Sequence, residues 1–155
     1  MTVTTTICKM GLQRYYNESG GFSRYLYYQV GDTVTTSNGV IAKVVAKENG
    51  TPFDGLPTFS KTGEVYLKAD KDGNIIQARI YKDRKPVCDF DWDHQHQNAN
   101  GDRFEKGVVH VQEFKQNSKG AWERQSKKAR YMSNDEMERY GELLRKLKSD
   151  IKFWP

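Results

Sequence analysis

The sequence predicts an α+β domain in which an antiparallel β-sheet, built from N-terminal hairpins and a meander, carries a C-terminal α-helix on one face. Two observations predict this fold. Short runs rich in β-branched and aromatic residues recur between Gly, Asn and Asp turns, and one amphipathic helical pattern closes the chain. The 155 residues suit a single domain, 1–155. A Pro- and Gly-containing loop at 49–60 leaves room for an N-terminal β subdomain, 1–50, before the main meander and helix, 60–155.

The strands are predicted in chain order from their composition. Positions 2–7 predict an edge strand, and Arg- and Tyr-rich runs on either side of Gly20 and Gly21 predict a hairpin, although such residues also suit stacking on nucleobases. Asn38-Gly39 is the strongest short-range signal for a second hairpin. The remaining strands are predicted at 64–69, 74–81, 86–92 and 108–114, with a fifth within 122–132.

A helix is predicted from Ser133 onward. Ser133 and Glu136 have the spacing of a capping box, in which each side chain accepts a hydrogen bond from the backbone of the other residue. Apolar residues then recur at helical spacing and form one stripe, which we expect to face the core. They are Met137, Tyr140, Leu144 and Leu147.

The positive charge belongs to the end of the chain. The net charge is +5. Residues 115–155 hold 11 Lys and Arg against 6 Asp and Glu, whereas residues 1–114 hold 14 of each. A basic segment favours an anionic partner, either nucleic acid or an acidic protein surface, although a solvated charged face gives the same pattern. The candidate nucleic-acid-binding or partner-binding residues are Arg79, Arg124, Lys127, Lys128, Arg130, Arg139, Arg145 and Lys146.

Cysteine usage and hydropathy indicate a cytoplasmic protein. Cys8 and Cys88 match no zinc or redox spacing, so two free thiols are the simplest interpretation and a single disulfide is the alternative. The N-terminus has no apolar run of signal-peptide length, and no stretch suits a bilayer. We therefore expect no membrane association.

All three histidines fall within 17 positions, in the stretch 87–111. Because side chains alternate along a strand, Cys88, Phe90 and Trp92 should face the helix, and the aspartates between them should face the other way. If the strands at 86–92 and 108–114 pair, Asp91 should lie beside His110. His94 and His96 should then stand at the rim of the sheet.

Three chemistries fit this polar face. A histidine pair with a cation such as Arg79 suits metal-independent cleavage of RNA, in which one imidazole removes the 2′-hydroxyl proton and another protonates the leaving oxygen. A divalent metal at His94 and His96 is a second interpretation. A solvated polar surface is the third. The sequence leaves open whether the chain is an enzyme.

The stretch 80–114, IYKDRKPVCDFDWDHQHQNANGDRFEKGVVHVQEF, resembles C-terminal modules of phage minor capsid (MuF-type) and head-morphogenesis proteins and related polymorphic-toxin-like domains. Their pattern is an aspartate-rich DxDxxHxH at a strand end, followed by a glycine and an HxH or HxQ strand. The resemblance implies that Asp91, His94, His96 and His110 are the catalytic candidates. Gln112 stands where toxin-like versions often have a second histidine, so no cofactor is expected and a metal is not favoured.

Two functional hypotheses follow. The first is a phage- or mobile-element-encoded effector that acts on nucleic acid in the host cell, as a small histidine-dependent nuclease with RNA as the favoured substrate. The second is a non-enzymatic anti-defence protein that inhibits a host nucleoprotein complex, for example of the CRISPR type, through its basic C-terminal surface. In either case the protein would be delivered with, or encoded by, a phage.

Overall fold

The computed structural model describes residues 13–16, 22–49 and 55–155. The predicted strand at 2–7, Cys8 and the Gly20-Gly21 turn lie outside these residues. In chain order the strands are β1 (Gln13–Tyr16), β2 (Phe22–Tyr27), β3 (Thr33–Thr35), β4 (Ile41–Lys47), β5 (Val65–Ala69), β6 (Ile75–Lys82), β7 (Lys85–Asp91), β8 (His96–Gln97), β9 (Arg103–Phe104), β10 (His110–Gln116) and β11 (Trp122–Arg124). The helix of the described residues, α1, spans Asn134–Leu147.

Seven of these strands form one sheet in the order β11-β10-β7-β6-β5-β4-β3. The predicted meander is confirmed, because β5, β6, β7 and β10 follow one another in antiparallel pairs. The predicted hairpin around Asn38-Gly39 is confirmed as β3–β4. β1 and β2 form a separate two-stranded sheet.

The sheet is mixed, whereas the sequence predicted an antiparallel one. β4 and β5 run parallel, with Val44 opposite Leu67. Parallel neighbours require a crossover connection of about a dozen residues or more. The connection from 48 to 64 meets this requirement, so its length was the signal that the antiparallel prediction overlooked.

Two smaller predictions also differ from the structure. The region from His94 to Gly107 was predicted as a loop, but β8 and β9 pair within it as a short antiparallel hairpin. The strand predicted within 122–132 is only β11, which ends at Arg124. The chain then leaves the sheet edge, and Arg130 returns to make an isolated bridge with Val111.

The core lies between one face of the sheet and α1. Cys88, Phe90 and Trp92 of the β7 region are almost fully buried there, as the alternation predicted. The predicted stripe of α1 meets this face, and the rings of Phe90 and Tyr140 pack edge to face at 5.6 Å. Buried side chains of α1 include Leu143 and Leu144, and Met137 and Leu147 pack at the margin.

The end of the chain is held against the same core. Ile151 and Phe153 are buried, whereas Trp154 remains half exposed. The backbone of Lys152 makes hydrogen bonds with the backbones of Gly107 and Val109, which fixes the segment that enters β10. No helix in the described part of the chain has the length and apolar character needed to cross a membrane.

The predicted capping box is present, and Arg130, in the segment between β11 and α1, contacts it. The Ser133 hydroxyl accepts from the Glu136 backbone, and the Glu136 carboxylate accepts from the Ser133 backbone. Arg130 also donates two hydrogen bonds to Glu136 at 2.7 and 3.0 Å. Burial raises the pKa of Glu136, but the bonds from Arg130 and Ser133 outweigh it and leave that pKa below its ordinary value of 4.5.

We predict that Glu136→Gln lowers the free energy of unfolding by about 1 kcal/mol at pH 7, because glutamine keeps the capping bond and loses the charge pair with Arg130. The folded pKa is lowered, so the charge contributes fully above the unfolded value of 4.5 and its contribution is lost as the pH falls through the folded value. The free energies of unfolding of the parent protein and of Glu136→Gln, measured with denaturant from pH 7 to pH 3, should therefore converge. Glu138→Gln, on the exposed side of the same helix, is the control, and an equal loss there would contradict the prediction.

Candidate functional site

The polar face of the sheet is built by the register of three adjacent strands. Asp91 lies directly opposite His110 across β7 and β10, which confirms the predicted cross-strand pair. Asp89 lies opposite Gln112 in the same ladder and opposite Arg79 across β6 and β7. These side chains project from the face that α1 does not cover.

His94, His96 and His110 come together at the end of this face and form what we call the three-histidine cluster. One ring nitrogen from each lies within 4.8 Å of the corresponding nitrogens of the other two. The rings of His96 and His110 stack at 4.9 Å with 14° between their planes, and His94 meets His110 edge to face at 5.3 Å. All three histidines that the sequence singled out thus share one site.

Different elements hold the three rings at different depths. His94 follows the end of β7 and is exposed, His96 begins β8 and is half-buried, and His110 begins β10 and is fully buried. The β8–β9 hairpin is fixed over the cluster by Asn98, whose side-chain amide donates to the Ala129 carbonyl and accepts from the Ala129 backbone, both at 2.8 Å. The cluster therefore opens to solvent on the His94 side.

A backbone carbonyl fixes the tautomer of His96. Its Nε2 lies 2.6 Å from the carbonyl oxygen of Ser126. A carbonyl oxygen can only accept, so Nε2 carries the hydrogen and donates it. In the neutral ring Nδ1 then holds the lone pair.

Burial shifts the two other imidazoles toward the neutral form. Burial, followed by the positive charges that His96 and His94 carry when protonated, lowers the pKa of His110 to about 4, and the nearby Val108 backbone opposes this shift. Burial and the neighbouring His96 also lower the pKa of His94 from 6.5. Both rings are therefore neutral near pH 7 and offer lone pairs.

Four buried polar atoms of this face have no hydrogen-bond partner among the described residues: Asp91 Oδ2, His110 Nδ1, His110 Nε2 and Gln112 Oε1. The Val108 backbone influences the pKa of His110 but does not meet hydrogen-bonding geometry with its ring. Burial, followed by the charge of Asp89, raises the pKa of Asp91 to about 7. An unsatisfied buried polar group costs about 1–3 kcal/mol. Their concentration at one place makes this face the candidate site.

Asp89, unlike Asp91, has hydrogen-bond donors for both of its carboxylate oxygens. It is fully buried, yet Arg79 donates to it at 2.6 and 2.9 Å, Gln77 at 2.9 Å and Arg124 at 3.0 Å. Arg79 is fixed further by bonds from its Nη1 to the carbonyls of Leu56 and Pro57. The predicted candidate Arg79 is therefore largely buried and paired within the chain, and Arg124 is held with its outer part exposed.

A cleft of about 390 Å³ lies against the cluster. Asp91, Gln112, His94 and His96 form its floor and rim, and Lys68 and Arg124 add positive charge. A larger cleft of about 730 Å³ lies near the chain terminus, beside Trp92 and Lys106. It includes none of the three histidines and none of the four unpartnered atoms, so the smaller cleft is the candidate site.

Several of the predicted partner-binding cations are engaged within the chain. Arg130 pairs with Glu113 and Glu136, Arg139 pairs with Glu64, and Lys146 donates to the Thr35 carbonyl at 2.7 Å. These contacts join α1 and the segment before it to the sheet. A basic composition therefore overstated the charge available to a partner.

Three other predicted cations differ in their surroundings. The guanidinium of Arg145 lies over an aromatic ring, 4.9 Å from the centre of Phe153. Lys127 and Lys128 are exposed, and neither is ion-paired with any residue that the structure describes. They directly follow Ser126, which lines the cleft and whose carbonyl accepts the hydrogen bond from His96.

Some residues of the site were not found from the sequence. Lys68 of β5 carried no signal, because only the sheet order places it near β7 and β10. Ser126 acts through its backbone carbonyl, which any residue type supplies. Asp89 was placed on the polar face by alternation, but its role as the anchor of Arg79 and Arg124 depends on the fold.

Comparisons of the chain with protein-family models, curated proteins and solved structures found no match. The chemistry of the site is therefore the guide to function. The site offers the three imidazoles and the Asp91 carboxyl group with its raised pKa. The cleft beside them is lined by two cations, Lys68 and Arg124, and by two further carboxylates, Glu48 and Asp93. Chemically, this set can transfer protons or hold a metal ion that activates water.

We predict that Asp89→Asn destabilises the fold by about 3–5 kcal/mol, because it leaves the guanidinium of Arg79 buried without its charge partner. Denaturant unfolding measures the change. Asp93→Asn, at an exposed position just beyond β7, is the matched control and should have little effect. Equal stability of the two variants would show that the ion pairs of Asp89 with Arg79 and Arg124 do not stabilise the sheet.

Proposed function

We propose that the chain is a small nuclease that cleaves phosphodiester bonds at the three-histidine cluster, with RNA as the favoured substrate. The observation that carries the proposal is the cluster of three imidazoles, two of which line a cleft that also holds Lys68 and Arg124. A phosphodiester is anionic and gains negative charge as it reacts. Cations beside a proton-transfer or metal-binding group are the arrangement that its cleavage requires.

The exposed lysine pair that follows Ser126 supports a polyanionic substrate. Lys127 and Lys128 are exposed directly after Ser126, whose carbonyl orients His96. A nucleic-acid strand in the cleft would therefore have its neighbouring phosphates near these two lysines. Such contacts supply affinity without sequence preference.

The imidazoles serve phosphodiester cleavage in one of two ways. They can transfer protons directly, or they can hold a metal ion that activates a water molecule. His94 and His96 line the cleft and suit either role. His110 is fully buried and reaches no substrate, so it acts through its neighbours.

The cellular setting in the proposal comes from the resemblance to phage minor capsid and toxin-like modules. A nuclease of this size would act as a phage- or mobile-element-encoded effector in the host cytoplasm. The resemblance picks out Asp91, His94, His96 and His110. The geometry supports the choice, since the three histidines meet and Asp91 lies opposite His110.

We predict that the purified chain cleaves single-stranded RNA, and that His94→Ala lowers the rate by about 10²-fold or more because a group in contact with the substrate or its activator is removed. Gel assays on RNA and DNA, with and without Mg²⁺, Mn²⁺ or Zn²⁺, measure this. Gln97→Ala, at an exposed position next to His96, should keep the activity. No turnover on any nucleic acid under these conditions would overturn the proposal.

We further predict that Lys127→Glu together with Lys128→Glu weakens RNA binding and lowers the slope of its salt dependence by about one unit for each phosphate that the two lysines no longer neutralise. Binding is measured by fluorescence anisotropy from about 50 to 200 mM salt. The matched control is the double charge reversal of Lys82 and Lys85, which are exposed at the turn between β6 and β7. An unchanged slope in the first variant would show that nucleic acid does not use this surface.

The second candidate is a non-enzymatic inhibitor of a host defence nucleoprotein complex. The observation that favours it is the same exposed lysine pair, because a partner surface needs unpaired charge but no histidine cluster. The two functions separate cleanly. A chain that lacks nuclease activity and captures a defined nucleoprotein complex, with capture abolished in the lysine variant and kept in His94→Ala, would replace the first proposal with the second.

A further inference from the structure

We propose that His94, His96 and His110 bind one divalent transition-metal ion of the zinc type, with a fourth coordination position open to the cleft. This inference goes beyond the nuclease activity and stands whether or not the chain cleaves nucleic acid. It uses all three histidines, including the buried His110, which direct proton transfer to a substrate leaves without a role.

The geometry of the nitrogens is close to that of a bound site. A tetrahedral zinc ion holds its nitrogen ligands at about 2.0–2.1 Å, which places them about 3.3 Å from one another. The three nitrogens already lie within 4.8 Å of one another. His94 is exposed and follows the end of β7, so its side chain has room to rotate.

His110 supplies an independent observation. Both of its ring nitrogens are buried and lack a partner among the described residues, although a neutral imidazole has one donor and one acceptor to satisfy. A metal ion satisfies the acceptor nitrogen. The remaining N–H then has unpartnered acceptors on its own face of the sheet, since Asp91 lies opposite in register and Gln112 follows two positions later on β10.

The outer contacts also match those of metal-binding histidines. Such residues usually donate their second ring N–H to a carboxylate or a backbone carbonyl, which fixes the ring and raises its basicity. His96 already does so through Ser126. Asp91 is positioned to do the same for His110, which gives its orphaned carboxylate oxygen a role.

The ligand set favours zinc or a neighbouring transition metal. Imidazole nitrogens suit Zn²⁺, Cu²⁺, Ni²⁺ and Fe²⁺, whereas Mg²⁺ and Ca²⁺ prefer oxygen ligands. Three protein ligands and one open position are the usual composition of catalytic zinc sites. Gln112 is therefore not needed as a fourth ligand, and the cleft side of the cluster, lined by His94 and His96, is where water or substrate would bind.

An ordered water molecule is the competing explanation, because water also satisfies buried polar atoms. The two explanations predict different results with added metal. The metal-free full chain, prepared with EDTA and desalted, should bind one Zn²⁺ per chain by calorimetry. With Co²⁺ it should give the intense visible absorption of tetrahedral coordination. Failure to bind Zn²⁺ stoichiometrically would overturn the proposal in favour of water.

Variants locate the ion. His94→Ala and His96→Ala should each weaken Zn²⁺ binding by about 100-fold or more, and Asp91→Asn by roughly 10–100-fold, as expected for an outer contact. Gln97→Ala is the matched control and should bind like the parent. Because His110→Ala empties a buried position and can unfold the chain, the exposed His94 carries the test. Zn²⁺ binding that survives in His94→Ala and His96→Ala alike would overturn the proposal.

The metal test is separate from the nuclease test. Zn²⁺ binding at the cluster without cleavage of any nucleic acid keeps the metal site and overturns only the nuclease. Cleavage at full rate by protein that binds no metal keeps the nuclease and overturns only the metal site.

Discussion

Asp89 is a fully buried carboxylate that binds two guanidinium groups, and the polar face of the sheet is arranged around it. Its bonds to Arg79 and Gln77 join β6 to β7, and its bond to Arg124 brings in β11. A buried charge is tolerated only when it is paired and hydrogen-bonded. These bonds of Asp89 therefore fix the positions of the strands that present Asp91 and His110. They also hold the Arg124 cation at the cleft.

Asp89 and Asp91 are two positions apart on one strand and share a face, yet their environments are opposite. Asp89 has every partner it needs, whereas Asp91 has an unpaired oxygen and a pKa raised to about 7. The raised pKa follows from burial next to the charge of Asp89. Asp89 therefore stabilises this part of the sheet, whereas Asp91 keeps an unpaired oxygen beside the three histidines.

Local patterns in the sequence were enough to predict the face of each residue on β7, the pairing of Asp91 with His110, and the capping box of α1. The faces and the capping box depend on strand alternation or helical spacing, which are properties of a few consecutive residues. The Asp91–His110 pair also required the two strands to be neighbours in the meander. The parallel pairing of β4 with β5 and the approach of Lys68 to the cleft depend on how distant segments pack. No short stretch encodes them.

The metal interpretation was not favoured from the sequence, because Gln112 occupies the place of a further histidine. The fold nevertheless brings three imidazole nitrogens together without it. For the basic residues, the sequence predicted more available charge than the structure leaves unpaired. Charge composition predicted a broad binding surface, but Arg79, Arg130 and Arg139 have carboxylate partners within the chain. Counting charges cannot anticipate such pairing, since most of the partner carboxylates lie on other elements.

The seven-stranded sheet ends in β3 on one side and β11 on the other, each only three residues long. An edge strand exposes unpaired backbone groups that can template strand addition from another chain, and short edges limit how many such bonds can form. The long strands of this sheet are all interior. Within the described residues, the short edges of this sheet therefore leave few unpaired backbone groups to which another chain could add a strand.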